Sequence, residues 1–185
     1  MDLYLTTPVG PFADALGVAV NTFTTNQDAG SPIPCPIIAP NQLRIGSRIK
    51  IEAEGEFSTT ATPTLALGFY VGLPGTGGKP AALTTILAAS TAITTATATA
   101  FPWRMEYRGF ITTVGTAGQI IGQGDLELGT SLVAFSANAI PATLALRTVA
   151  LDTTLARCVG VCAAYSASSA SNAVRVYNLT VQLHN

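Results

Sequence analysis

Hydrophobic and polar residues alternate with a period of two along most of the chain. The clearest segment is 48–57, which places Ile49, Ile51 and Phe57 on one side and charged side chains on the other. Successive side chains of a β-strand point to opposite faces, so this pattern predicts a strand with one dry face and one wet face. No segment sustains the 3.6-residue period of an amphipathic helix.

Eight or nine segments of this kind follow one another after about residue 45, with turn residues between them. Their regular spacing is typical of a sandwich or barrel, and eight strands in two packed sheets is the number in a jelly roll. We therefore predict an all-β fold, a jelly-roll-like antiparallel β-sandwich. The predicted strands are 48–57, 62–71, 83–93, 101–114, 119–128, 132–137, 142–151, 156–165 and 173–184.

Two of these strands carry specific predictions about their faces. In 101–114, alternation places four large side chains on one apolar face and three charged side chains on the other. In 173–184, it places an aromatic and three aliphatic side chains together. The predicted apolar sets are Trp103, Met105, Tyr107 and Ile111 in the first strand, and Tyr177, Leu179, Val181 and Leu183 in the second.

The first 40 residues differ from the rest, because they contain six of the eleven prolines. Each proline fixes its own φ and pushes the preceding residue towards an extended conformation. We predict an extended, proline-rich N-terminal arm over 1–40, with a possible first strand at Leu16–Thr24, and a β-sandwich domain over 41–185. The apolar stretch Met1–Phe12 has to dock on its own domain, on a neighbouring copy or on another protein.

The charge content is unusually low. Charged residues make up 10% of the chain, against about 25% in ordinary soluble domains. The mean hydropathy is +0.42, yet the longest uncharged run of interest, 80–102, is too rich in Thr and Ala to predict a membrane span. Two interpretations remain open: much of the surface is covered in an assembly, or the surface is neutral and exposed. The nine basic residues are dispersed, which disfavours nucleic-acid binding.

The three cysteines, Cys35, Cys158 and Cys162, do not form an even disulfide set. On one strand, Cys158 and Cys162 are about 13 Å apart, too far to bridge. We predict free, buried thiols. The N-terminus has no basic region followed by an apolar one, so no signal peptide is predicted. Both observations are consistent with folding in a reducing cytoplasm.

Few residues of the chain are of the types that support catalysis. The sole histidine, His184, lies beside the C-terminus, which disfavours a Ser-His-Asp or Cys-His site. No group of His, Cys, Asp and Glu has the spacing of a zinc site. Glu52, Glu54 and Glu56 share a strand face about 7 Å apart, a glycosidase-like distance. Because they alternate with basic residues, a solvated charge ladder is the favoured interpretation.

Two glycine-containing motifs also lack residues that their binding functions require. The loop Pro74–Pro80 is similar to a phosphate loop, but Leu73 occupies its first glycine position and Pro80 replaces the Ser or Thr that holds magnesium. Gly122-Gln-Gly124 begins a dinucleotide-type pattern, but Glu127 stands where its third glycine belongs. We therefore predict no catalytic, cofactor-binding or metal-binding residue, and no enzymatic activity.

Four segments together resemble a family of tailed-bacteriophage virion proteins, over about residues 40–185. The segments are Asn41–Gly55, Thr62–Gly72, Phe101–Gly109 and Ile121–Gly124. Trimeric jelly-roll modules that decorate and cement capsids are typical of this family, and related modules occur on tail tips and fibres.

The resemblance implies a homotrimeric capsid decoration protein, made in the host bacterial cytoplasm, that binds the major capsid protein on the outside of the phage head. It implies neither a nucleic-acid nor a membrane partner, and no cofactor. The alternative is a receptor-binding head domain of a tail tip or tail fibre.

Overall fold

The structure, a computed structural model, describes residues 2–7, 27–29, 35–76, 80–82, 84–131 and 133–185. Within these ranges the regular elements are strands and one 3₁₀ helix, Leu144–Arg147. The strands are β1 (Asp2–Thr7), β2 (Gln27–Asp28), β3 (Ile37–Ile38), β4 (Arg48–Thr59), β5 (Thr64–Gly72), β6 (Thr85–Ala89), β7 (Ile93–Thr94), β8 (Ala98–Thr113), β9 (Gln119–Ser131), β10 (Ala134–Ile140), β11 (Thr148–Ala150), β12 (Arg157–Tyr165) and β13 (Ala173–His184).

The strands form two antiparallel sheets. The larger sheet has the order β1-β13-β4-β8-β9-β10, and β11 pairs with β9 beyond the end of β10. The smaller sheet has the order β2-β12-β5-β6, with β3 added to β12 and β7 added to β5. The chain crosses between the two sheets after β1, β3, β4, β7, β11 and β12. The predicted jelly-roll-like β-sandwich is confirmed.

The hydrophobic core lies between the sheets, because each inner strand turns its apolar residues the same way. In β4 the buried residues alternate with partly exposed ones, as the sequence pattern predicts. Trp103 is fully buried, and its indole N–H donates to the carbonyl oxygen of Glu56 at 3.1 Å. Phe57 packs edge-on against Phe101, with ring centroids 6.1 Å apart. The predicted apolar set of β8 lies entirely in this core.

Three strand predictions require correction. The segment 142–151 is not one strand, because its first half forms the 3₁₀ helix and only Thr148–Ala150 pairs with β9. The segment 83–93 contains two short strands, β6 and β7, that pair with different parts of β5. Tyr177 does not share a face with Leu179. A register shift in β13 between Val176 and Asn178 adds a residue there, so Tyr177 is exposed while Val176 and Leu179 are buried.

The described parts of the predicted arm lie on the same chain's own sheets. β1 forms the edge of the larger sheet beside β13, with Asp2 opposite His184. β2 and β3 both pair with β12 in the smaller sheet. The predicted strand Leu16–Thr24 lies outside the described residues, and the division of the chain at residues 40 and 41 stays a prediction.

Candidate functional site

The outer face of the larger sheet holds most of the charge of the molecule. The residues concerned alternate with core residues along β4, β8, β9 and β13, so every one points away from the core. We call this surface the charged face. Eleven of the nineteen charged residues of the chain lie on it: Arg48, Lys50, Glu52, Glu54, Glu56, Arg104, Glu106, Arg108, Asp125, Glu127 and Arg175.

Strand register places like charges side by side in the middle of the charged face. Glu52 lies opposite Glu106, which lies opposite Asp125, and in the next row Lys50 lies opposite Arg108. Like charges directly opposite one another are unfavourable. Ion pairs between the acidic row and the basic row offset this repulsion. Lys50 Nζ lies 2.8 Å from Glu52 Oε1 and 3.5 Å from Glu106 Oε2, and Arg108 pairs with Glu106. The hydrogen bond to Glu52 raises the pKa of Lys50.

The neighbouring row of the charged face is centred on Arg104. This guanidinium pairs with Glu127, which lowers the pKa of that carboxyl. It also lies over the ring of Phe135, 6.0 Å from the centroid, within the range of a cation–π contact. Closer to the end of the sheet, Arg175 lies 3.1 Å from Glu56. Eight of the eleven charged residues of the face therefore take part in ion pairs with one another.

A shallow concavity of about 460 Å³ lies over these rows. Its rim consists of carboxylates, Arg104 and the polar side chains of Asn178 and Thr180. Such a surface can accept and donate hydrogen bonds to a polar ligand. In the described part of the chain, no group of three or more His, Cys, Asp or Glu side chains is arranged to hold a metal ion. Glu52, Glu54 and Glu56 lie on this open face, as predicted for a solvated ladder.

The structure accounts for the other residues considered in the sequence analysis through strand pairing and packing. His184 ends β13 opposite Arg48. Gly122 and Gly124 lie within β9, where a Cβ at Gly122 would collide with the Tyr107 hydroxyl and one at Gly124 with the Glu106 carbonyl. Cross-strand packing thus explains these two glycines. In the phosphate-loop-like segment, Pro74 and Pro80 pair through an isolated bridge, and residues 77–79 lie outside the described ranges.

An uncharged edge of the larger sheet exposes apolar side chains, and the sequence motifs did not reveal it. The sixteen residues from Ser131 to Leu146 contain no charged residue. We call the described residues 133–146, which comprise β10 and most of the 3₁₀ helix, the neutral edge. β10 pairs with β9 on one side, and in the described ranges no strand pairs with its other side. The exposed apolar side chains are Val133 (92%), Leu144 (76%), Leu146 (56%) and Phe135 (49%).

An edge strand of this composition is unusual in a protein that acts alone. Natural edge strands are commonly protected by charged residues or proline, and Ala134–Ile140 contains neither. The charge-free run was the available sequence signal. That run alone does not distinguish an exposed edge strand from a buried strand, because a buried strand has the same composition.

Among the described residues, no helix is long and apolar enough to cross a membrane.

Comparisons with known proteins place the chain in no family. No protein-family model matches the sequence, and no curated protein matches it. The metal-free lectin I-B4 from Griffonia simplicifolia aligns over 99% of this chain and 100% of its own, with 11% identity and a TM-score of 0.45. The CBM2 module of the evolved Dit of Lactobacillus casei BL23 phage J-1 aligns over 98% and 95%, with 8% identity and a TM-score of 0.34. The assignment of an antiparallel β-sandwich therefore depends on the sheet pairing itself.

Proposed function

We propose that the chain is a non-catalytic structural protein of a tailed-phage virion, a capsid decoration protein that trimerises and binds the major capsid protein on the outside of the head. The observation that carries this proposal is the segregation of charge. The charged face is wet and largely ion-paired, whereas the neutral edge exposes four large apolar side chains and a strand that no other described strand pairs on its outer side. A surface of this second kind is typical of a contact between proteins.

A second copy of the chain is the partner that best fits the neutral edge. A trimer with threefold symmetry needs two different surfaces on each subunit that meet head to tail. Among the described strands, the larger sheet ends at β10 on one side and at β1 on the other. Pairing the β10 edge of one copy with the β1 edge of the next would continue the sheet and satisfy the backbone groups of both.

The resemblance of residues 40–185 to phage virion proteins supports the location on a capsid. A decoration protein stabilises the shell by binding its assembled form, a mass-action effect that requires no chemistry. The low charge content fits this role, since obligate interfaces typically bury about 2,000–5,000 Å² and are more hydrophobic than ordinary surfaces.

Two measurements test the proposal. Size-exclusion chromatography with light scattering at micromolar concentration should give three times the mass of the chain, and a monomer would contradict trimerisation. Electron microscopy of virions labelled with an antibody against the chain should show label over the head. Label confined to the tail would contradict the capsid location while leaving a trimer possible, so the two failures are distinguishable.

A receptor-binding head domain of a tail tip or fibre is the second candidate. The observation that favours it is the concavity of the charged face, where Arg104, Glu127 and Asn178 could contact sugar hydroxyls beside Phe135. Binding of defined glycans in an array, lost in Arg104→Ala and retained in a neutral-edge variant such as Leu144→Asp, would support this function over the first.

A further inference from the structure

The three cysteines lie on the face of the smaller sheet that points away from the hydrophobic core. In β12, Val159 points into the core, so Cys158 and Cys162 point to the opposite side. Both are buried there, and so is Cys35, and the predicted free, buried thiols are confirmed. These thiols therefore belong to a second buried layer, outside the hydrophobic core.

Strand pairing brings Cys35 close to Cys158. In the pairing of β3 with β12, Ile37 lies opposite Cys158, and the Val159 N–H donates to the Pro36 carbonyl at 3.0 Å. Continuing this antiparallel register places Cys35 beside Gly160, the next residue of β12 on the Cys158 face. Gly160 has no side chain, and the Tyr70 ring lies over it, with the hydroxyl 2.5 Å from the place a Cβ would take. Cys35 and Cys158 are hydrogen-bonded to each other.

The hydrogen bond makes the two sulfurs chemically different from Cys162. Cys35 donates its S–H to Cys158, which lowers the pKa of the Cys158 thiol and raises that of Cys35. Cys162 lies opposite Asp28 in the β2 pairing, and burial raises its pKa to about 12. Cys158 is 0% exposed and Cys35 6% exposed, so the geometry pairs the two sulfurs without making either one the first to react.

We propose that Cys35 and Cys158 form an oxidisable pair that closes into an intramolecular disulfide when the protein meets hydrogen peroxide. One sulfur of the pair, as its thiolate, attacks one peroxide oxygen, the O–O bond breaks, and hydroxide leaves to give a sulfenic acid. The other sulfur then attacks the sulfur of the sulfenic acid, the S–O bond breaks, and water leaves with the proton of the attacking thiol. In total, two thiols and one peroxide give one disulfide and two waters. This inference is independent of the proposed function.

The disulfide would fasten the segment before β3 to the centre of the smaller sheet. Cys35 lies two residues before β3, which pairs with β12 over two residues. A protein that folds in a reducing cytoplasm and later meets an oxidising medium would gain this bond only after leaving the cell. Because the bond closes a loop of more than 100 residues, the oxidised protein should melt about 10–20 °C above the reduced protein.

Peptide mapping of the full chain tests the proposal. Purified protein is treated with hydrogen peroxide or with dithiothreitol, remaining thiols are alkylated after unfolding, and the protein is digested with trypsin without reduction. We expect a disulfide between the peptides ending at Arg44 and Arg175, with alkylated Cys162. Fragmentation between Cys158 and Cys162, which share the second peptide, identifies the sulfur that is linked.

Variants separate the pair from the third cysteine. Cys162→Ser should still form the linked peptide and show the rise in melting temperature, whereas Cys35→Ser should show neither. A bond between Cys158 and Cys162, a bond between two chains, or peroxide-treated wild-type protein with three alkylatable thiols would overturn the proposal. The wild-type mapping decides the matter even if a serine variant fails to fold.

Discussion

Leu144→Asp is the most direct test of the neutral edge. Leu144 begins the 3₁₀ helix and is 76% exposed, so its side chain contributes little to the folded monomer. Surface substitutions at such positions usually change the free energy of unfolding by no more than about 0.5 kcal/mol. The variant should therefore fold normally and lose affinity between subunits.

The expected loss follows from the exposed fraction of Leu144. Burying most of a leucine side chain contributes about 1.5–2 kcal/mol, and an aspartate in its place adds a desolvation cost, so each interface loses about 2 kcal/mol. A trimer has three such interfaces and loses about 6 kcal/mol. The midpoint concentration of a monomer–trimer equilibrium varies as the square root of the dissociation constant, so it should rise about 100-fold.

Sedimentation velocity over a dilution series measures that midpoint. Ser168→Asp is the matched control, because it adds the same charge at an exposed position in the loop before β13, three or more strands from the neutral edge. The control should keep the wild-type midpoint. Equal midpoints for wild type and Leu144→Asp would refute the assignment of the neutral edge as the interface, whatever the oligomeric state.

Three further predictions concern stability. Tyr107→Phe should leave the free energy of unfolding in urea unchanged or raise it by up to about 1 kcal/mol, because the buried hydroxyl has no hydrogen-bond partner among the described residues; a loss above 1 kcal/mol would point to a hidden partner. Asn172→Ala should lose about 2 kcal/mol in the same assay, since the buried amide accepts from the Thr60 N–H and donates to the Ala167 carbonyl, and equal stability would show that water replaces it. Partial desolvation of the exposed Tyr177 ring and the neighbouring Glu56 raise the pKa of Tyr177 from 10.0 to about 12. The folded state therefore holds this proton more tightly, so the contribution of Tyr177 to stability is constant below pH 10 and falls between pH 10 and 12. Near-ultraviolet titration of wild type and Tyr177→Phe measures this pKa, and an ionisation near pH 10 would contradict the shift.

The strands and their faces were largely predictable from the sequence, because alternation depends on neighbouring residues alone. Residues 48–57 and 173–184 lie in strands with nearly the predicted bounds. The errors occurred where the folded structure departs from the local alternation of hydrophobic and polar residues. The register shift at Val176 moved Tyr177 to the surface, and the 3₁₀ helix replaced the first half of a predicted strand. Neither event leaves a signal in the period of the hydrophobic residues.

The arrangement of the candidate surfaces was not predictable, because it depends on which strands become neighbours. The sequence indicated that Glu52, Glu54 and Glu56 share a face, but not that Glu106 and Asp125 continue the same row. The pairing of Cys35 with Cys158 joins residues more than 100 positions apart, and spacing arguments compared only Cys158 with Cys162. Only the strand register of the folded sheet shows that two residues so far apart in the sequence are neighbours.

The segregation of charge has a consequence for ionic strength. The Debye length is about 8 Å at physiological salt and about 3 Å at 1 M, so added salt screens the pairs of the charged face and little else. Contacts made by an uncharged edge lack this sensitivity, and salts that are excluded from apolar surface strengthen them. Assembly through the neutral edge should therefore persist from low to high ionic strength. Any ligand held by the charged face would be released as the ionic strength rises.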